Sequence, residues 1–312
     1  MGSSNGGGAQ MRLEGVWLPL VTPFRDGVLD EAALAALARH YAAQPIDGFV
    51  LAATTGEGLT LDEGETERLV EIVAEATGGA RPILLGVCGS DTRMVLKALA
   101  RTRRWAIDGY LVACPYYSRP SQEGLRRHFT ALAERIDKPI VVYNIPYRTG
   151  VNMTNETLLR LAELDAVVGV KDCCGDPQQS FELLRDRPPG FSVLTGEDAQ
   201  FYAAIAQGAD GGILAAAHVG PGAFAEVRNA LLAGRRQAAL ERWRELAPIV
   251  RLLFAEPNPA PIKHWLWREG RLASPELRLP MTPVSEALAG EIEAALAGRG
   301  PGPAAGTAPT AA

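Results

Sequence analysis

Val167-Val168-Gly169-Val170 runs straight into Lys171, and Asp172, Cys173, Cys174, Gly175 and the pair Asp176-Pro177 follow. The run reads as a short buried strand whose last residue carries an amine, with a turn and a helix start behind it. Desolvating an ammonium costs several kcal/mol unless it is paired or gives up its proton. An amine in apolar surroundings therefore has a lowered pKa and can attack a ketone to form a Schiff base, whose protonated form is an electron sink for making or breaking carbon–carbon bonds. The plain alternative is a lysine lying past the strand end, solvated or paired with Asp172. This stretch alone does not separate the two.

Imine chemistry also needs a proton relay and an anchor for a carboxylate. Tyr143 and Thr54 or Thr55 offer the first, and Arg148 or backbone N–H groups the second. The metal-assisted route to the same bond would need clustered histidines and carboxylates. His40, His128, His218 and His264 lack ligand spacing, and only His218 falls near the other candidates. The reading therefore calls for neither a metal nor a cofactor.

The elements that must position these groups form a repeating series. Apolar runs at Gly15–Thr22, Gly48–Ala53, Pro82–Val87, Gly109–Ala113, Pro139–Asn144, Val167–Lys171, Ser192–Thr195 and Gly211–Ala215 alternate with helical patterns. The helices begin at about Asp30, Asp62, Asp91, Ser121, Thr154 and Asp176, of which Asp30 and Asp176 read as caps, and the eighth follows Pro221. Eight successive strand–helix units predict a closed (β/α)8 TIM barrel over about 11–221. An open doubly wound sheet is the alternative, but no G-x-G-x-x-G follows an early strand. In such a barrel the active site lies at the C-terminal strand ends. Thr54-Thr55-Gly56-Glu57, Pro115-Tyr116-Tyr117, Tyr143-Asn144, Arg148, Lys171 and Gly196-Glu197-Asp198 all stand there, and the eighth strand runs through Ile213.

From 222 to 297 the pattern is helical throughout and reads as a C-terminal helical appendage. Asn258 before Pro259 looks like a helix cap, and Trp243, Trp265 and Trp267 like packing residues. Residues 1–10 read as a tag or floppy extension, and 298–312, rich in Gly, Pro and Ala, as a disordered tail. The net charge of -5 is spread along the chain, so neither nucleic acid nor a membrane surface is an expected partner; small-molecule chemistry is. No apolar run approaches a membrane span, and the expected location is cytoplasmic. Cys88, Cys114, Cys173 and Cys174 form no C-x-x-C pair and are expected as reduced thiols.

Thr54-Thr55-Gly56-Glu57, Pro115-Tyr116-Tyr117-Ser118-Arg119-Pro120, Tyr143-Asn144-Ile145-Pro146-Tyr147-Arg148-Thr149-Gly150 and Gly169-Val170-Lys171-Asp172 strongly resemble the dihydrodipicolinate synthase family, within the N-acetylneuraminate lyase group of Schiff-base pyruvate aldolases. The likeness runs from about Gly15 to Leu296 and takes in Glu256-Pro257-Asn258-Pro259 and Leu279-Pro280-Met281-Thr282-Pro283. The resemblance implies a lyase condensing pyruvate with L-aspartate 4-semialdehyde to 4-hydroxy-tetrahydrodipicolinate, on the route to diaminopimelate and lysine. It implies that Lys171 forms the imine, and that Tyr143, Thr55 and a Tyr117 reaching in from a neighbouring subunit form the relay. It further implies that Thr54 and Thr55 hold the pyruvate carboxylate, that Arg148 holds that of the second substrate, and that Gly196 and Ile213 line the pocket. The implied assembly is a homotetramer, a dimer of dimers. Ala53, Asp172, Cys173 and Cys174 depart from the family pattern, which leaves open a related aldolase or hydratase-lyase acting on another 2-keto acid or sugar acid, or a non-catalytic ligand-binding barrel. Gly58, Glu63, Thr66, Ser90 and Met94 stand where lysine-inhibited members often carry serine, histidine, asparagine and glutamate, which predicts weak or absent feedback by lysine.

Overall fold

In the computed structural model, which describes residues 13–298, eight parallel strands close into a barrel. They are β1 (Gly15–Pro19), β2 (Gly48–Leu51), β3 (Ile83–Val87), β4 (Gly109–Ala113), β5 (Ile140–Asn144), β6 (Val167–Asp172), β7 (Ser192–Thr195) and β8 (Gly211–Ile213). Each pairs with the next in sequence, and β8 closes onto β1 with Trp17 opposite Ile213. This is the (β/α)8 barrel the alternation predicts. The first two strands end earlier than the apolar runs suggest. Leu20–Thr22 leaves the sheet for a small hairpin, Phe24–Arg25 with Val28–Leu29, that the sequence reading did not anticipate.

The helices are α1 (Glu31–Ala42), α2 (Glu63–Thr77), α3 (Thr92–Thr102), α4 (Gln122–Ala133), α5 (Asn155–Leu161), α6 (Pro177–Asp186), α7 (Phe201–Ala206) and α8 (Pro221–Leu232). Asp30 and Asp176 cap as expected, and Asp62, Asp91, Ser121 and Thr154 do so as well: the side chain of each accepts a backbone N–H of the first turn. Beyond α8 come α9 (Arg236–Leu253), α10 (Ala260–Arg268) and α11 (Glu286–Ala297), the C-terminal helical region. Trp265 is fully buried there and Trp243 stacks on Tyr202, so both are packing residues. The readings of 1–10 as an extension and of 299–312 as a tail lie outside the described residues.

Two apolar layers hold the barrel. Val50, Leu84, Leu111, Val141, Leu194 and Ile213 fill its interior, while residues such as Phe49, Leu85, Val112 and Val142 pack outward against the helices. A polar tie joins the loop after β2 to the C-terminal region. Lys263, wholly buried, ion-pairs with Glu57, and the Arg278 N–H donates to the other Glu57 oxygen at 3.0 Å. Removing one member of such a pair leaves an uncompensated buried charge, at a cost of about 3–5 kcal/mol. The loop carrying Thr54 and Thr55 is therefore fixed from the far end of the chain.

Candidate active site

Lys171 is 7 % exposed, near the C-terminal end of β6. Strand alternation turns Asp172 the other way, toward the helices, where it accepts from Ser180 Oγ at 2.5 Å and from the Cys174 N–H at 3.0 Å. Lys171 is thus neither solvated nor paired with Asp172, which leaves the reactive-amine reading. Its Nζ sits 4.3 Å from the centroid of the Tyr143 ring, and the two residues are register partners on β5 and β6. Burial lowers the lysine pKa, the nearby acidic groups only partly opposing this. Burial raises that of the Tyr143 phenol well above the usual value, with Cys173 adding to it. An amine that burial makes easier to deprotonate thus faces a phenol that keeps its proton.

Most of the candidates converge. Thr54, Thr55, Tyr143, Arg148, Lys171, Gly196 and Ile213 line one small pocket. Gly196 is required on steric grounds: a Cβ there would lie 2.4 Å from both Lys171 Cε and Cys173 Sγ. Arg148 reaches the pocket from a single helical turn, Pro146–Thr149, that directly follows β5, and its guanidinium lies 5.5 Å from the Tyr147 ring centroid. Beside the pocket opens a larger chamber of about 450 Å³, walled by apolar groups including Leu59, Leu111 and Met281. Thr54, Tyr143 and Arg148 border both spaces.

Tyr117 is not brought in. It is 92 % exposed, with a positive φ of 69°, and lines neither space. Of the pocket residues that the sequence did not single out as site residues, two bear on its chemistry. Asp198, seen there only as part of a strand end, is buried and accepts the Ala216 N–H at 2.6 Å; burial, against that bond and the Lys171 charge, pushes its carboxyl up to about 7. Asn258 was expected to cap a helix, but Pro259 occupies the cap position of α10, and the Asn258 side chain instead donates to Thr55 Oγ1 at 2.9 Å. The signal was present in Glu256-Pro257-Asn258-Pro259, but a partner 203 residues away could not be read from local pattern.

Among the described residues no three or more His, Cys, Asp or Glu side chains are grouped to hold a metal ion, and Cys88, Cys114, Cys173 and Cys174 are free thiols. Cys173 is buried in the barrel interior, and burial raises its pKa well above the usual thiol value. It is a neutral wall beside the amine. What the arrangement can do is add a neutral amine to a small carbonyl compound, with a protonated phenol beside it and a guanidinium and two threonines to receive carboxylates.

The family model of the dihydrodipicolinate synthetase family matches residues 12–298. The chain is 47% identical over 278 residues to 4-hydroxy-tetrahydrodipicolinate synthase 2 of Clostridium acetobutylicum, covering 89% of this chain and 97% of that one. Among solved structures, dihydrodipicolinate synthase from Thermotoga maritima superposes with a TM-score of 0.90 at 34% identity, covering 93% of this chain and 99% of that chain. The enzyme from Aquifex aeolicus does so with a TM-score of 0.89 at 32% identity and the same coverage.

Proposed function

The chain belongs to the dihydrodipicolinate synthetase family, and on that premise we propose how its residues divide the reaction. It is a Schiff-base lyase that condenses pyruvate with L-aspartate 4-semialdehyde to 4-hydroxy-tetrahydrodipicolinate, in the biosynthesis of diaminopimelate and lysine. The Lys171 amine adds to the keto carbon of pyruvate, and the carbinolamine formed loses water to give the imine. The imine gives up a methyl proton to become an enamine, whose carbon then bonds to the aldehyde carbon of the second substrate; the amino group of that substrate attacks the re-formed imine carbon, closing the ring and expelling the Lys171 amine. Tyr143, buried with its proton on, supplies the proton that carries off the leaving hydroxyl and takes part in those that follow. The observation that carries this reading is the Lys171 amine, buried, turned away from Asp172, and 4.3 Å from the Tyr143 ring centroid.

The two threonines divide the remaining work. Thr55, 4 % exposed and held by Asn258, suits the pyruvate carboxylate. Thr54 borders both the pocket and the chamber, so its hydroxyl suits the relay as well as the carboxylate. Arg148, which also borders both, holds the carboxylate of the second substrate. Gly196 and Ile213 are walls. The relay is completed by Tyr117 of a second copy, in a homotetramer built as a dimer of dimers; a tyrosine 92 % exposed at the barrel mouth supports this. No helix among the described residues is long and apolar enough to cross a membrane, and we place the reaction in the cytoplasm.

The test is a coupled assay supplying pyruvate with aspartate semialdehyde or with sugar-acid aldehydes, on the parent chain and on Arg148→Ala. Turnover with aspartate semialdehyde, and an Arg148→Ala variant that still forms the pyruvate adduct while losing affinity for the aldehyde, is the expected result. Turnover with sugar-acid aldehydes alone would overturn the substrate assignment. Equal loss in both half-reactions would overturn the role of Arg148.

A further inference from the structure

We infer that Asn258 is a positioning residue for the keto-acid half of the site, fixing the Thr55 hydroxyl as a hydrogen-bond donor toward the substrate carboxylate. The inference rests on the imine reading above.

A threonine hydroxyl has one proton to give and two lone pairs to receive with. Asn258 Nδ2 donates to Thr55 Oγ1 at 2.9 Å, so the oxygen is already an acceptor on that side and its own proton is left to point elsewhere. Both residues line the pocket that holds Lys171, and both are more than nine-tenths buried, at 8 % and 4 % exposure. A carboxylate entering that pocket brings only acceptors. A hydroxyl held as a donor is what it requires, and one free to rotate would meet it in the right state only part of the time.

A second observation points to a ligand. The other end of the same amide, Asn258 Oδ1, is buried with no hydrogen-bond partner among the described residues. An acceptor left in that condition costs about 1–3 kcal/mol, so a packing role alone is a poor account of it. The carboxylate and ketone of pyruvate have no donor to give it. The hydroxyl created on the keto carbon when Lys171 adds to the ketone does, and it arises next to the carboxylate that Thr55 holds. The amide therefore serves the first half-reaction at both ends, and the backbone that carries it comes from the C-terminal region, where the Lys263–Glu57 pair ties that region to the same threonine loop.

The experiment compares Asn258→Ala and Asn258→Asp, each alone and combined with Thr55→Val, in steady-state assays that vary pyruvate and the aldehyde separately. Asn258→Ala should raise the pyruvate KM about tenfold, the worth of one hydrogen bond to a charged group, and leave the aldehyde KM unchanged. Asn258→Asp, of nearly the same shape, should raise it further, because a carboxylate draws the Thr55 proton to itself and faces the substrate with like charge. In the Thr55→Val background the part of the Asn258→Ala effect that acts through the Thr55 hydroxyl is already lost, so the rise in pyruvate KM should fall well below tenfold. Equal rises in both KM values, effects that multiply in the double variant, or an Asn258→Asp chain no worse than Asn258→Ala would each overturn the inference. Borohydride trapping at saturating pyruvate separates the two levels: no adduct in the parent chain defeats the imine reading, whereas an adduct with an unchanged pyruvate KM in the variants defeats only the role of Asn258.

Discussion

Val168 and Lys171 both face the barrel interior although they stand three residues apart on one strand, where regular alternation would turn them to opposite sides. The cause is a bulge. Ile140 pairs with Val167 and Val141 with Gly169, so β6 spends one extra residue between them, and Val170 falls to the outer layer. Without that extra residue the amine would point into the helices and Asp172 into the pocket. The reactivity of Lys171 therefore depends on a backbone irregularity as much as on the side chain.

Gly196, just past the end of the neighbouring strand β7, makes the same dependence testable. Its missing Cβ would lie 2.4 Å from Lys171 Cε, closer than any relaxed contact allows. Gly196→Ala should displace the lysine from Tyr143 and slow imine formation by more than about tenfold, the cost of a crowded core site of 1–3 kcal/mol appearing in the step that uses the amine. Stopped-flow or quenched trapping with pyruvate measures it. An unchanged rate would show that the lysine has room to spare.

The pH dependence follows from burial. The amine attacks only when neutral, and its pKa lies below the ordinary lysine value, so the imine-forming rate should rise with pH and level off below the range of a free lysine. Asp198 titrates at about 7, and above that its carboxylate favours the ammonium form of Lys171. Asp198→Asn removes that charge and should move the rising limb to lower pH. A limb that moves upward, or not at all, would contradict the electrostatic account. The same raised carboxyl pKa sets a stability sign: the folded state holds the Asp198 proton more tightly than the unfolded chain does. That contribution is full below the unfolded carboxyl pKa and is lost as pH rises through about 7, so Asp198→Asn should gain stability relative to the parent at pH 8.

Shared catalysis by Tyr117 predicts complementation. Lys171→Ala and Tyr117→Phe chains are each impaired, but a mixed dimer places the intact Lys171 of one chain with the intact Tyr117 of the other. Activity that returns when the two variants are unfolded and refolded together, and not when they are assayed side by side, supports the exchange. A mixture no more active than the sum of its parts would place Tyr117 outside the relay.

Lysine feedback should be weak. Gly58 and Ser90 offer no side-chain charge, Met94 is 59 % exposed with only a thioether to present, the Thr66 hydroxyl donates to the Asp62 carbonyl, and the one carboxylate of the set, Glu63, is ion-paired with Arg101, so these positions offer a lysine ligand little to bind. Steady-state rates at physiological lysine should stay near those without it, and strong inhibition there would contradict the expectation.

The barrel was legible because each strand is a short apolar run and six of its eight helices begin at a capping side chain, both of which are local signals. The pocket was legible at Thr54, Thr55, Tyr143, Arg148, Lys171, Gly196 and Ile213 because strand ends converge in this fold. The bulge at β6 was not, since an extra residue in an all-apolar run leaves no trace in a pattern without alternation. Nor was the Asn258 contact, whose Asn-Pro dipeptide carries an ordinary helix-cap signal, nor the role of Glu57, whose partner Lys263 lies on α10. Long-range polar pairs are fixed by tertiary packing, and local sequence does not encode them.

The central claim is that Lys171 forms the covalent adduct. Incubating the protein with pyruvate and borohydride, then mapping the reduced adduct by peptide mass spectrometry, tests it most directly. One modified peptide, carrying the label on Lys171 and absent from Lys171→Ala, is the predicted result; no adduct, or an adduct on Lys263 or any other lysine in place of Lys171, would contradict it.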